Sequence, residues 1–225
     1  MASIDQPVTA QEKSCGSIIF FNGSSSAGKT TLAMTLQELL SDPFQYIALD
    51  QFRDGMPAKY RGLNAPLGST GELGLNVVPI DNGDIPAYTS IQFGREGKAM
   101  LRGMRRAMAA MAAEGVNLLI DDIILESEFL DDYLHVMQGL DLYFVGVRCP
   151  ADVISKREAL RPGRFPGTAV GHLDTCHAHR IYDVEVDTSK LTPEECAKAV
   201  MDRIHEGPPQ AFASLRNYAS VAIPR

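Results

Sequence analysis

The sequence predicts an α/β fold in which a mostly parallel sheet of five strands is covered by helices on both faces. Short apolar segments alternate along the chain with segments of helical periodicity, which is the pattern of βαβ units. The first apolar segment runs directly into a glycine-rich turn that opens a helix. With 225 residues, 45% of them hydrophobic, the chain can bury a core without disulfides.

The first half of the chain contributes two predicted strands and two helices. Residues 17–22 form a continuous apolar run, which is typical of a strand buried on both faces. The helix after the turn is predicted from a stripe of four leucines, Leu32, Leu36, Leu39 and Leu40. A second strand at 46–49 ends at Asp50, and residues 100–113 form a helix whose methionines make a core face.

The second half contributes three more strands, at 116–120, 142–147 and 184–186. Ser127 is predicted to cap a helix through 137, and a further helix spans 150–159. The last helix opens with a capping box at Thr192. Two segments lie outside the alternation. Residues 62–87, rich in Gly, Pro and Asn, are predicted as a functional loop, and residues 207–225 as a tail packed on the surface.

Charge and cysteine content exclude several classes of protein. A formal net charge of -7 disfavours nucleic-acid binding, because phosphate backbones select basic surfaces. The longest apolar runs are strand-sized, so no membrane span is expected, and no targeting segment is visible. Four scattered cysteines suit a reducing cytoplasm. We therefore expect one cytoplasmic domain over residues 1–225, with its oligomeric state left open.

A phosphate-binding loop is the strongest motif in the chain. The segment GSSSAGKT fits G-x-x-x-x-G-K-[ST] at every fixed position, with a predicted strand before it and a helix after it. Its backbone N–H groups and the positive end of the helix would cradle phosphates, and its lysine would reach the β- and γ-phosphates of a nucleotide such as ATP. The predicted nucleotide-binding residues are Gly23, Ser24, Ser25, Ser26, Ala27, Gly28, Lys29, Thr30 and Thr31.

Three aspartates follow predicted strands at the same edge of the sheet. Ligands of open α/β sheets bind at the carboxyl ends of the strands, so Asp121 and Asp122 are expected near the phosphate loop. Together with Thr30, one of them is predicted to hold Mg²⁺; which one stays open. Asp50 is a candidate catalytic carboxylate that accepts a hydroxyl proton, although an aspartate there is equally typical of a helix N-cap.

Arginines and histidines are concentrated in residues 157–180, which we predict to be a lid. Arg157 and Arg161 are candidates for nucleotide binding and Arg164 for catalysis, since guanidinium groups stack on adenine or stabilise a transferring phosphoryl group. A solvated helix end is the competing interpretation. Arg148 would face the nucleotide or pair with a carboxylate of the core. The spacing of His172, Cys176, His177 and His179 matches no standard zinc site.

Several motifs in order give the chain a family resemblance. GSSSAGKT, LLIDD (118–122), VGVRC (145–149) and YDVEVDTS (182–189) together resemble the chloramphenicol phosphotransferase family. The resemblance implies a nucleotide-kinase fold with five parallel strands, and transfer of the ATP γ-phosphate to a primary hydroxyl of the antibiotic. It also implies that Asp50 is the catalytic base, because the family's proposed base ends the second strand.

The departures from that family lie where the acceptor should bind. Residues 51–98 are the predicted acceptor-binding region, and they are longer than the resemblance leads one to expect. Their aromatic residues, Phe52, Tyr60, Tyr88 and Phe93, suggest a partly apolar pocket for a small-molecule alcohol. Two alternatives remain open from the sequence, a kinase for a sugar or other metabolite and a nucleotide-binding regulatory module that transfers nothing.

Overall fold

A parallel five-stranded sheet lies at the centre of the computed structural model, which describes residues 14–80, 88–161 and 167–221. The strands are β1 (Ile18–Asn22), β2 (Phe44–Ala48), β3 (Arg61–Leu63), β4 (Leu75–Ile80), β5 (Tyr88–Phe93), β6 (Asn117–Asp122), β7 (Leu142–Arg148) and β8 (Val184–Asp187). The central sheet has the order β2-β6-β1-β7-β8, with every pair parallel. The predicted fold class is confirmed.

Helices cover both faces of this sheet. They are α1 (Lys29–Leu39), α2 (Leu49–Gly55), α3 (Thr70–Leu73), α4 (Arg95–Ala113), α5 (Ser127–Val136), α6 (Ala151–Ala159), α7 (Thr168–Gly171), α8 (Leu173–Cys176), α9 (Pro193–His205) and α10 (Ala211–Val221). Within the described ranges, no helix combines the length and the apolar character needed to cross a membrane.

The core is divided by the sheet into two clusters. On one face, Phe20 and Phe144 pack against α4, α5 and α10, and the predicted methionine face contributes the buried Met104 and Met108. On the other face, Phe21 packs with α1 and α9. Since alternate residues of β1 enter opposite clusters, this strand is fully buried, as its unbroken apolar sequence predicts.

Residues 62–87 were expected to be a loop, and that prediction is wrong for their described part. A second sheet of order β3-β4-β5 stands beside the main one, with β3 parallel to β4 and β5 antiparallel to β4. Beside this sheet the backbone at Gly74 approaches the backbone at Tyr60 closely. A Cβ atom at Gly74 would lie 1.9 Å from the carbonyl oxygen of Tyr60, so this position requires glycine. The glycines that suggested a loop instead permit close packing.

Three further boundaries differ from the sequence predictions. β2 ends at Ala48, and Asp50 lies in the first turn of α2, where Ala48 occupies the N-cap position. Ser127 is the first residue of α5 rather than its cap. Residues 207–225 were predicted to be a tail on the surface, and this prediction is wrong for their described part, because α10 buries Phe212 in the core. The ring centroid of Phe212 lies 5.1 Å from that of Phe144. The capping box at Thr192 is present as predicted.

Candidate active site

A large cavity of about 1290 Å³ opens at the carboxyl edge of the central sheet. Its walls come from the phosphate-binding loop, from the start of α2, from the second sheet, and from α6 and α7. Parallel strands bring their carboxyl ends to one edge, which is why residues distant in sequence meet here. The cavity has a polar half at the phosphate-binding loop and an acceptor half at the second sheet, and we use these two names below.

The phosphate-binding loop has the conformation that its motif requires. Gly28 has a φ of 98°, in the left-handed region that favours glycine, and it opens α1. The ammonium of Lys29 donates to the carbonyl oxygens of Gly23 (2.8 Å) and Ser24 (3.0 Å). Six of the nine predicted nucleotide-binding residues line the cavity, namely Ser25, Ser26, Gly28, Lys29, Thr30 and Thr31, whereas Gly23, Ser24 and Ala27 do not.

Oxygen atoms from three elements converge beside Lys29. The hydroxyl of Thr30 donates to Oδ2 of Asp121 (2.8 Å), and the hydroxyl of Tyr46 donates to the same oxygen (2.9 Å). The Lys29 ammonium lies 3.6 Å from Oδ1 of Asp121. Burial, followed by the charge of Asp121, raises the pKa of Tyr46 to about 12, so its hydroxyl stays protonated. Hard oxygen donors of this kind suit Mg²⁺.

Asp122 has different surroundings from Asp121. It is buried, and its carboxylate accepts hydrogen bonds from the hydroxyl of Tyr133 and from the amide of Ile123 (2.7 Å). Burial raises the pKa of this carboxyl to about 6, although the hydrogen bonds and the charge of Arg105 oppose the rise. Asp122 lines the cavity as Asp121 does, but its carboxylate is bonded by Tyr133 on α5 and by Ile123 in the turn after β6. Asp121 is bonded to Thr30 and is the better placed of the two aspartates to meet a metal ion beside the phosphate-binding loop.

The raised pKa of Asp122 predicts a pH-dependent stability. The pKa of about 6 in the folded state exceeds the ordinary value of 3.8, so the folded protein binds this proton more tightly than the unfolded chain does. Proton binding therefore stabilises the fold at low pH, and this stabilisation is lost as the pH rises through about 6. Relative to Asp122→Asn, the wild type should therefore gain about 1 kcal/mol of unfolding free energy between pH 8 and pH 5. Urea unfolding at both pH values measures this gain. The exposed Asp131→Asn on the same side of the fold is the control, and a pH-independent difference for Asp122→Asn would contradict the prediction.

Asp50 lies on the cavity wall in the first turn of α2, which rules out the N-cap interpretation. Nη1 of Arg53, one turn later, donates to Oδ1 of Asp50 at 2.7 Å, and Arg53 also pairs with Asp54. Asp54 lies 3.5 Å from Arg61 on β3. Arg53 was not predicted from the sequence, although a spacing of three residues between an aspartate and an arginine on a helix indicates an ion pair.

The arginines of the predicted lid are only partly described. Arg157 donates to the hydroxyl (2.9 Å) and the carbonyl oxygen (2.8 Å) of Thr188, and Thr188 in turn donates to the carbonyl oxygen of Ala27 in the phosphate-binding loop. Arg161 lies 3.5 Å from the hydroxyl of Ser26, and both arginines line the cavity. Arg164 lies outside the described residues. Arg148 pairs with the exposed Glu185, so the expected pairing with a core carboxylate is wrong.

The acceptor half has an apolar wall. The second sheet contributes its apolar lining residues, which are Leu63, Leu75, Val77, Ile91 and Phe93. The ring of Phe93 meets that of Phe129 edge-on, with centroids 4.8 Å apart. Phe52 and Tyr60, which were expected here, instead line a separate cavity of about 530 Å³ on the other side of α2. Tyr88 pairs with Ile80 at the opposite end of β5 from Phe93.

The histidine cluster forms a buried support behind the phosphate-binding loop. The side-chain amide of Asn22, the last residue of β1, contacts the carbonyl oxygen of Cys176 (2.6 Å), the ring of His179 (3.1 Å) and the hydroxyl of Tyr182 (2.7 Å). His177 bonds the same tyrosine hydroxyl. Burial lowers the pKa of His177 to about 3 and that of His179 to about 4, so both rings are neutral at physiological pH.

Comparison with known sequences identifies the family. The profile of the chloramphenicol phosphotransferase-like proteins matches residues 16–205. The chain belongs to this family. A Mycobacterium tuberculosis protein named "Putative O-phosphotransferase" is 30% identical over 204 residues, which cover 89% of this chain and 88% of the relative. Membership in the chloramphenicol phosphotransferase-like family makes the chain a kinase-type phosphotransferase, and it sets aside the alternative of a regulatory module without transfer.

Solved structures support the fold of this family member. An APS kinase of Mycobacterium tuberculosis, solved with AMPPNP and APS, aligns with a TM-score of 0.60 and 18% identity over 85% of this chain and 99% of its own. A tunicamycin resistance protein of Deinococcus radiodurans aligns with a TM-score of 0.55 and 17% identity over 86% and 98%. The likeness establishes a P-loop kinase fold for the chloramphenicol phosphotransferase-like chain.

Proposed function

We propose that this chain transfers the γ-phosphate of ATP to a hydroxyl of a small organic molecule, with an antibiotic of the chloramphenicol type as the first acceptor to examine. The observation that carries the proposal is that one cavity joins the phosphate-binding loop, Asp50 and a largely apolar wall. An apolar wall favours such an acceptor over a sugar, whose hydroxyl groups need many polar partners. The free thiols and the need for ATP support a cytoplasmic location.

The polar half supplies the nucleotide site. The amides of the phosphate-binding loop and the helix N-terminus would hold the β- and γ-phosphates, and Lys29 would exchange its two carbonyl partners for phosphate oxygens. Arg157 and Arg161 would hold the rest of the nucleotide from the side of α6. Thr30 and Asp121 would bind Mg²⁺, which fits their adjacent oxygen atoms. A bound Mg²⁺ neutralises charge on the phosphates during transfer.

The transfer itself needs few groups from the protein. The acceptor hydroxyl oxygen forms a bond to the γ-phosphorus while the bond from that phosphorus to the bridging oxygen of ADP breaks. Asp50 orients the hydroxyl and accepts its proton, and Arg53 holds the Asp50 carboxylate in place. Lys29, beside the β/γ bridge, stabilises the charge that develops there. Arg164 stays a prediction for the same role.

A direct assay tests this proposal. The protein is incubated with Mg-ATP and a panel of hydroxylated antibiotics and sugars, starting with chloramphenicol, and the products are analysed by mass for one added phosphate. We expect acceptor-dependent release of ADP with an antibiotic of the panel. ADP release that is independent of every acceptor would contradict the transfer to an alcohol, and phosphorylation of the sugars alone would move the acceptor class to the metabolite alternative.

Phe93→Ala should weaken acceptor binding more than ATP binding. Phe93 lines the acceptor half of the cavity, and loss of most of one buried aromatic contact is worth about 1.5–3 kcal/mol. We therefore expect the acceptor KM to rise by about 10-fold or more, while the ATP KM stays within about threefold. Phe52→Ala is the matched control, because Phe52 lines the other cavity. Equal effects of the two substitutions on the acceptor KM would place the acceptor elsewhere.

A further inference from the structure

His172 connects the lid segment with the acceptor half of the cavity. It stands between the short helices α7 and α8, and its ring reaches across to β5, where the amide of Ile91 donates to Nε2 at 3.3 Å. A hydrogen bond between the hydroxyls of Thr89 and Thr168 ties the same two segments together. The ring is thus fixed on the cavity wall by main-chain and side-chain contacts, and it lines the cavity with Ile91 and Phe93.

The contact with Ile91 determines which nitrogen of the His172 ring carries the proton. Because Nε2 accepts a hydrogen bond from an amide, it carries no proton, so the neutral ring carries its proton on Nδ1. The residue is 3% exposed, and burial lowers its pKa to about 4, which keeps the ring neutral near pH 7. His172 therefore offers an N–H donor and no positive charge.

That donor has no partner among the residues that the structure describes. Within residues 14–80, 88–161 and 167–221, the ring makes one hydrogen bond, which Nε2 accepts from Ile91. The nearby nitrogens His177 Nε2 and His179 Nδ1 also lack partners, but neither of these histidines lines the cavity, whereas His172 does. A buried ring on a cavity wall with an unused donor is suited to a ligand group that enters the cavity.

The charges around the acceptor half balance one another. Arg53 is paired with Asp50 and Asp54, and Arg61 approaches Asp54. The remaining wall consists of the apolar side chains described above. A charged acceptor would find no unpaired countercharge among these groups, whereas a neutral molecule would bury its apolar body without an electrostatic penalty.

We propose that His172 is a specificity-determining residue, whose Nδ1–H donates a hydrogen bond to an uncharged oxygen of a neutral and largely apolar acceptor. This inference rests on the proposed function and adds the class of acceptor to it. Sites that hydrogen-bond a substrate oxygen discriminate against analogues that lack it, because the donor is then left unsatisfied. Nitro, amide and carbonyl oxygens on an otherwise apolar alcohol meet the requirement.

Two substitutions separate this role from a structural one. In His172→Gln, the side-chain carbonyl oxygen can take the place of Nε2 and accept from Ile91, while the donor toward the cavity is lost. In His172→Asn, the shorter amide keeps a donor near the position of Nδ1 and loses the contact with Ile91. We expect the Gln variant to retain its Tm, to raise the chloramphenicol KM by about 3- to 10-fold, and to keep the ATP KM.

The Asn variant should show the opposite pattern, with a lower Tm and a chloramphenicol KM closer to that of the wild type. A Gln variant with an unchanged chloramphenicol KM would overturn the inference, as would an Asn variant that is impaired as strongly as Gln. NMR of the ring nitrogens in the wild type gives a check that needs no acceptor, because the Nε2–H tautomer would also overturn it. If the wild type phosphorylates no member of the panel, the proposed function falls, and the assignment of His172 falls with it.

Discussion

Lys29→Ala is expected to lower the rate of phosphate transfer by about 10³-fold or more. Removal of a single donor from a site of developing charge typically costs 10²–10³-fold, and a lysine at the β/γ bridge adds a full charge to that donor. Without nucleotide, the change should alter the free energy of unfolding by about 1–2 kcal/mol, because the lysine bonds two main-chain oxygens of its own loop and lies 3.6 Å from the Asp121 carboxylate. Single-turnover rates and thermal unfolding measure the two effects.

The matched control for this change is Lys198→Ala. Lys198 is exposed on α9 and pairs with Asp202 one turn later, so its loss should leave transfer and stability near the wild-type values. Turnover of Lys29→Ala within tenfold of the wild type would show that the loop does not position the transferred phosphate.

Asp50→Asn is expected to lower kcat by about 10²–10⁴-fold while ATP affinity stays within about threefold. General-base contributions have this size, and asparagine keeps the shape of the side chain but cannot accept the proton. The lower end of the range is expected, because phosphoryl transfer has a loose transition state in which the base mainly orients the hydroxyl. The measurement is kcat and the ATP Kd, with an acceptor from the panel.

Asp152→Asn is the control that separates catalysis from helix stability. Asp152 lies in the first turn of α6, as Asp50 lies in the first turn of α2, so both changes remove the same favourable interaction with the helix dipole. That interaction is worth about 0.3–1 kcal/mol at an exposed site. If kcat of Asp50→Asn lies within threefold of the wild type, Asp50 only stabilises α2, and another group accepts the proton of the acceptor hydroxyl.

The phosphate-binding part of the site could be predicted because its chemistry is local. The loop motif fixes its own backbone conformation, and strand order alone brings Asp121 to the same edge of the sheet. The sequence could not distinguish Asp121 from Asp122, because their environments depend on Tyr133 and Tyr46, each of which comes from another element. Only the folded chain shows that Asp121 is bonded to Thr30 and that Asp122 is bonded to Tyr133.

The acceptor half could not be predicted, because it is built from non-local pairings between short segments. β3 has three residues and pairs with β4 across α3, and β4 contains Pro79, which weakens any strand prediction. The helix α10 could not be predicted either, because its apolar residues have only a weak helical periodicity. Its burial depends on aromatic partners in β1 and β7. His172 looked like part of a histidine cluster, and its role depends on a contact with a strand some eighty positions earlier.

Most of the acceptor wall comes from one continuous stretch of chain, between the start of α2 and the end of β5. The polar half, in contrast, is lined by the phosphate-binding loop, α1, β6, α6 and residues after β8. Exchange of this stretch between relatives would therefore replace the apolar wall as a unit and leave the phosphate-binding loop and its neighbours unaltered.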